Sequence, residues 1–140
     1  MFKYIDKSSH GKQNLFKKNF SDAGYDICSN EDCVIEGGKS KLISTEVYIE
    51  IPEGFVAILK SRSGLSVRDK IEVGGGVIDC SYRGEIKVHL YNHSDEIFYI
   101  SAGDRIAQMI IFPIAVGAFT KVSDLSDSVR GDKGFGSSGV

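Results

Sequence analysis

At 140 residues the chain is one domain's worth, large enough to bury a core of its own and too short for two ordinary domains. Its 17 basic and 19 acidic side chains leave a formal charge of −2, which excludes nucleic acid or an anionic membrane as a bulk electrostatic partner, so that any phosphate recognition is local. No apolar run approaches a membrane span, residues 1–20 lack the apolar centre of a signal peptide, and Cys28, Cys33 and Cys80 have neither disulfide-framework nor zinc-ligand spacing, so a soluble intracellular protein is expected.

The first twenty residues offer scattered lysines (Lys3, Lys7, Lys12, Lys17, Lys18), read as solvated side chains on a mobile N-terminal segment. Beyond them, short apolar runs alternate with glycine, asparagine, aspartate or proline. Residues 47–51 and 86–91 show period-two alternation, and residues 55–59, 97–100, 106–112 and 116–122 are rich in β-formers, so each is expected to be a strand. Residues 64–70 alone invite a helix, of a turn or two. The spacing suits one all-β domain over residues 1–140, a compact barrel or jelly roll.

Five segments carry chemistry. Ser21-Asp22-Ala23-Gly24-Tyr25-Asp26 sets a carboxylate behind a small, tight pair; Asp26 either faces a cation or its water shell, or starts a strand or caps a turn. Ser61-Arg62-Ser63-Gly64 lies where a strand passes into the short helix, where free N–H groups, a guanidinium and two hydroxyls make an anion nest, the alternative being a solvated arginine. Residues 74–86 read as a hairpin with a glycine-rich arm (Gly74, Gly75, Gly76, Val77, Ile78), a polar tip and a return strand. Exposed main-chain groups on that arm can pair with the edge of a heterocycle, Tyr82 can pack on a sugar and Asp79 is available for proton transfer; a plain hairpin is the competing reading. On the strand after Gly103-Asp104, Arg105 and Gln108 point to opposite faces if the strand is regular, Arg105 suiting a structural ion pair and Gln108 a ligand. Finally Arg130, Phe135, Gly136, Ser137 and Ser138 stand in a glycine-laced tail with phosphate donors and a face for a planar ring, or in a frayed end.

In this order the five segments resemble the homotrimeric deoxyuridine triphosphatase (dUTPase) family, over about residues 23–140. The resemblance implies a distorted jelly-roll subunit in a threefold assembly with shared active sites, each closed by a flexible tail (residues 129–140). It implies hydrolysis of dUTP to dUMP and pyrophosphate, which limits uracil in DNA and supplies dUMP for dTMP synthesis. Asp79 would be the general base that activates water for in-line attack on the α-phosphorus, and Asp26 would touch the water shell of Mg²⁺ on the triphosphate. Arg62, Ser63, Gly64 and Gln108 would hold phosphate oxygens, the backbone at Gly76, Val77 and Ile78 would read uracil, and Tyr82 would pack under deoxyribose and exclude a 2′-hydroxyl. Phe135 would stack on uracil while Arg130, Gly136, Ser137 and Ser138 close over the phosphates.

Departures from the commoner family pattern are Lys133 in place of glycine, Cys80-Ser81 at the hairpin tip and the Gly74-Gly75 pair. The related deoxycytidine triphosphate deaminases use a glutamate further along the return strand, where this chain reads Val88-His89-Leu90-Tyr91. A non-catalytic, nucleotide-switched regulatory scaffold is the alternative from a different class, and the joint presence of Asp79, Arg130 and Phe135 weighs against it. No nucleic-acid or membrane partner is expected. His10, His89 and His93 have no ligand spacing and receive no role.

Overall fold

Runs of isoleucine, valine and leucine interrupted every few residues by turn formers produce many short strands, because branched side chains pack on a pleated surface and the interruptions stop each ladder. The computed structural model describes residues 1–132. In chain order, β1 (Lys3–Asp6), β2 (Leu15–Phe16), β3 (Tyr25–Cys28), β4 (Cys33–Ile35), β5 (Ser40–Ile43), β6 (Val47–Glu50) and β7 (Phe55–Lys60) lead to α1 (Ser63–Asp69). Then come β8 (Ile71–Gly74), β9 (Val77–Ile78), β10 (Val88–Asn92), β11 (Phe98–Ile100) and β12 (Arg105–Pro113). The largest sheet has the order β2-β3-β12-β7-β9, a second has β5-β10-β8, and β1 with β6 and β4 with β11 form two-stranded ribbons. All pairings are antiparallel.

Alternate residues of these strands meet in one core: Ile27, Ile43, Val47, Ala57, Ile86, Val88, Leu90 and Ala107 are fully buried, joined by Ile35, Ile71, Ile106 and Met109. The fold is the expected all-β jelly roll. Among the described residues no helix is long and apolar enough to cross a membrane. The expected helix is present as α1, a seven-residue element with no buried residue. It ends at Lys70, whose φ of 57° is left-handed and whose N–H donates to the Leu65 carbonyl.

Three expectations are corrected. Residues 116–122 form no strand: Val116, Phe119 and Val122 are exposed, since β-propensity is a packing preference and no strand pairing among the described residues includes them. The glycine-rich arm also leaves the return strand after Gly74, which pairs with His89. Gly75 and Gly76 have φ of +64° and +96°, which turns the backbone away after β8, so β9 pairs with β7 while β10 pairs with β8 and β5. At Gly76 only hydrogen fits, because a Cβ would lie 2.9 Å from the Leu59 carbonyl oxygen. The return strand begins at Val88 instead of residue 86, because Ile86 N–H donates to the Val47 carbonyl and Glu85 bridges to Tyr48. Residues 1–20, where the sequence shows only scattered lysines, contribute β1 to the β6 edge and β2 to the β3 edge.

Candidate active site

Two groups of side chains stand out, and both are placed by the five-stranded sheet. The first lies where β3, β12 and β7 run side by side, with Asp26 opposite Gln108 and Gln108 opposite Lys60. Asp26 is at the centre. Its Oδ1 accepts from Arg62 Nε at 3.1 Å and its Oδ2 from Arg105 Nη1 at 3.3 Å, while Arg62 Nη1 also donates to the Arg105 carbonyl at 3.3 Å. Two guanidinium groups on one carboxylate leave an excess positive charge, with the arginine planes fixed and their remaining N–H groups open to an anion.

Arg105 does take the ion-pair role expected of it, but not on the opposite face from Gln108. The register slips between Arg105 and Ala107, which stand against the successive residues Cys28 and Ile27, so Ile106 is the extra residue of a β-bulge. Ile106 and Ala107 are both buried, and the bulge returns Gln108 to the side that Arg105 occupies. Gln108 Nε2 donates to the Ser61 carbonyl at 3.0 Å, and Ser61 Oγ accepts from Val73 N–H at 2.9 Å, which ties the strand-to-helix turn to β8. Gly24 belongs here through close approach: a Cβ would stand 3.0 Å from Gln108 Oε1. Ser63 and Gly64 are exposed on the first turn of α1, directly after Arg62. Burial pushes the neighbouring Cys28 thiol up to about 11, helped by the Asp26 charge, so it stays protonated and is no nucleophile.

The second group surrounds a cleft of about 170 Å³ lined by Val77, Ile78, Asp79, Tyr82, Glu85 and Lys87. β9 ends the sheet order, so one of its edges pairs with β7 and the other turns outward, offering main-chain N–H and C=O groups to a ligand. Val77 is 65% exposed on that edge. A turn follows, closed by Tyr82 N–H on the Asp79 carbonyl at 3.0 Å, and it leaves the Asp79 side chain exposed. The Tyr82 hydroxyl donates to the Glu85 carbonyl at 2.9 Å, and Arg83 Nη1 closes the tip on the Cys80 and Tyr82 carbonyls. Glu85 and Lys87 are the members that sequence reasoning did not single out. Their signal is spatial: the donors to the Glu85 carboxylate come from Ser44, Thr45 and Glu46, some forty positions upstream.

The two groups do not meet within one chain. Carrying the β7–β9 register one residue past Ile78 puts Asp79 opposite Val56, and 62 − 56 = 6 residues separate that point from Arg62, about 20 Å at the rise of a strand. Among the described residues no hydrogen bond or ion pair joins them. Arg130, the last of the expected site residues inside the described part, is exposed beside a turn in which Gly131 N–H donates to the Ser128 carbonyl. Phe135, Gly136, Ser137 and Ser138 lie outside the described residues.

No three His, Cys, Asp or Glu side chains gather among the described residues as a metal cage. Both Asp26 oxygens already accept from arginine, which suits contact with the water shell of an ion brought in on a polyphosphate better than direct ligation of a resident ion.

Comparison with known proteins gives a consistent picture. The family model described as dUTPase matches residues 12–139. A deoxyuridine 5'-triphosphate nucleotidohydrolase of Arabidopsis thaliana is 48% identical over 118 residues, which cover 84% of this chain and 71% of the relative. A probable deoxyuridine 5'-triphosphate nucleotidohydrolase of Schizosaccharomyces pombe is 39% identical over 137 residues, 98% of each chain. Among solved structures, a mutant of the Staphylococcus bacteriophage 80alpha dUTPase with dUpNHpp superposes with a TM-score of 0.91 at 31% identity, covering 100% of this chain and 99% of that one. A mutant dUTPase from phage phi11 of S. aureus, solved for the coordination of a structural Mg(II) ion, has a TM-score of 0.82 at 26% identity over 91% of this chain and 99% of that one.

Proposed function

Since the chain belongs to the dUTPase family, we propose that it hydrolyses dUTP to dUMP and pyrophosphate, with the Asp79 cleft reading the nucleoside and the Arg62 group holding the phosphates. The observation that carries this reading is the outward edge of β9, a strip of main-chain donors and acceptors with Asp79 and Tyr82 immediately after it. Such an edge pairs with the polar rim of uracil as a neighbouring strand would pair with it. Tyr82 then lies against the sugar, where the space left for C2′ decides between deoxyribose and ribose.

The triphosphate repels an incoming nucleophile, so the chain's main task is to neutralise charge and fix geometry. Arg62, held by Asp26, presents N–H groups to phosphate oxygens, and Ser63, Gly64 and Gln108 flank it. Asp79 accepts a proton from the attacking water as its oxygen bonds to the α-phosphorus, and the α-to-β bridging oxygen leaves with pyrophosphate. Magnesium on the triphosphate would supply further charge neutralisation, and Asp26 would touch its water shell. Arg130, Phe135, Gly136, Ser137 and Ser138 complete the site over the phosphates and the base.

A threefold assembly with shared sites accounts for two observations together. By the register of β9 on β7, Asp79 and Arg62 lie about 20 Å apart along the sheet of one chain, whereas Asp79 of one copy facing Arg62 of another closes the gap. The exposed apolar side chains of Ile114, Val116, Phe119, Val122, Leu125 and Val129 gain burial by crossing to a neighbouring copy. Pyrophosphate release measured in parallel with dUTP, dCTP, dTTP and UTP, with and without Mg²⁺, tests the reading. Activity confined to dUTP and raised by Mg²⁺ is expected; no release from any of the four removes it.

A further inference from the structure

Glu85 lines the nucleoside cleft, yet the chemistry above gives it no task. It is half-buried, its side chain 15% exposed, and one oxygen collects three donors from consecutive residues. Oε1 accepts from Ser44 Oγ at 2.5 Å, from Thr45 N–H at 3.0 Å and from Glu46 N–H at 3.1 Å. Glu46 has a φ of 54°, a left-handed conformation that a residue with a side chain keeps only where its surroundings hold it. The other oxygen, Oε2, is 3.5 Å from Lys87 Nζ, at the mouth of the same cleft.

The main chain of the same residue holds Tyr82. The phenol hydroxyl donates to the Glu85 carbonyl at 2.9 Å, and the ring edge lies over Gly84, where a Cβ would be 2.3 Å from the phenol oxygen. Gly84 therefore lets the ring down onto the backbone, and the Glu85 carbonyl sets where it stops. That carbonyl is immobile only if Glu85 is, and its carboxylate is pinned to residues 44–46, which are in turn built into the core: Thr45 is fully buried and its hydroxyl donates to the Ile86 carbonyl. A rigid path thus runs from the core, through Glu85, to the tyrosine ring.

We propose that Glu85 is a positioning residue that fixes the height of the Tyr82 ring in the cleft and thereby sets the discrimination between 2′-deoxyribose and ribose. The inference rests on the dUTPase reading above and extends it to a residue that need not touch the nucleotide. A sugar differing by one hydroxyl is rejected by contact, and contact rejection weakens steeply once the wall can retreat.

The test is the ratio of kcat/KM for dUTP over UTP, from pyrophosphate release by the full-length protein, in three variants. Glu85→Ala removes all three acceptor contacts and lowers the ratio about tenfold or more, chiefly through a lower KM for UTP while kcat for dUTP stays within about threefold. Glu85→Gln keeps an oxygen acceptor for residues 44–46 and holds the ratio within about twofold of the wild type. Tyr82→Phe cuts the tie at its other end, leaves the Glu85 carboxylate untouched and lowers the ratio as well; it decides the matter if Glu85→Ala does not fold. A wild-type ratio in Tyr82→Phe, or in a folded Glu85→Ala, overturns the proposal while wild-type dUTP turnover leaves the functional reading standing. Absence of dUTP turnover in the wild type overturns both.

Discussion

Asp26 holds Arg62 from the side: the 3.1 Å contact is made to Nε, the inner nitrogen of the guanidinium, so the outer nitrogens are presented away from the carboxylate. Arg105 takes the second Asp26 oxygen at 3.3 Å, and its carbonyl accepts from Arg62 Nη1, so the three side chains fix one another.

Asp26→Asn preserves shape and removes the charge that orients both arginines. We expect kcat/KM for dUTP to fall about tenfold or more, about 1.4 kcal/mol, by steady-state kinetics. A lower KM in this variant would show instead that the carboxylate opposes the phosphates and that orientation counts for little.

Asp79→Asn is expected to keep nucleotide binding and lose about a hundred- to ten-thousandfold in kcat, the usual worth of general-base assistance. Binding of a non-hydrolysable dUTP analogue by calorimetry, set beside turnover, separates the two effects; unchanged turnover removes Asp79 from the mechanism.

Burial acts to raise the Glu85 carboxyl, but the hydrogen bonds from Ser44 Oγ and from the Glu46 and Thr45 N–H groups outweigh it and hold the group below its ordinary value of 4.5. A depressed folded-state value means stability present in full above about 4.5 and lost as the pH falls through the folded value. The wild type should therefore melt above Glu85→Gln near neutrality, and the gap should narrow on acidification below 4.5. Thermal melts from neutral to acid pH check this; a gap independent of pH assigns the contribution to shape alone.

Gly76→Ala demands a φ of +96° from a residue with a side chain and puts its Cβ 2.9 Å from the Leu59 carbonyl. A loss of about 1–3 kcal/mol is expected in denaturant unfolding, together with weaker nucleotide binding because β9 shifts.

A chain ending at Val129 loses Arg130 and everything after it but keeps every strand found among the described residues, and the core they build. It is expected to assemble as the full chain does, by light scattering, and to turn over dUTP at a small fraction of the normal rate. Normal turnover would mean that the tail takes no part in closing the site.

Strands whose partners and core face are encoded locally were legible. Residues 47–51, 55–59 and 106–112 alternate or run apolar and stand close to the observed β6, β7 and β12. Short edge strands such as β1, β2 and β4 were missed because two to four residues, of which Leu15 and Ile35 alone are buried, are too few to carry a periodic signal. The site residues were legible as types, since glycines, aspartates and arginines in turns announce unusual backbone and charge. Their arrangement was not: the bulge at Ile106 reverses a face, Gly75 and Gly76 send β9 to a different sheet, and Glu85 is defined by donors far upstream. Those outcomes are settled by competition between distant strands for one partner, which no window of sequence contains.

The distance along the sheet between Asp79 and Arg62 also alters how damage to this protein is inherited. In the proposed assembly a lesion in one group and a lesion in the other spoil different halves of different sites. Chains carrying Asp79→Asn and chains carrying Arg62→Ala, each inert alone, would on co-assembly bring an intact Asp79 from one beside an intact Arg62 from the other. Two defective alleles can then complement each other within a single gene, whereas two lesions confined to either group cannot.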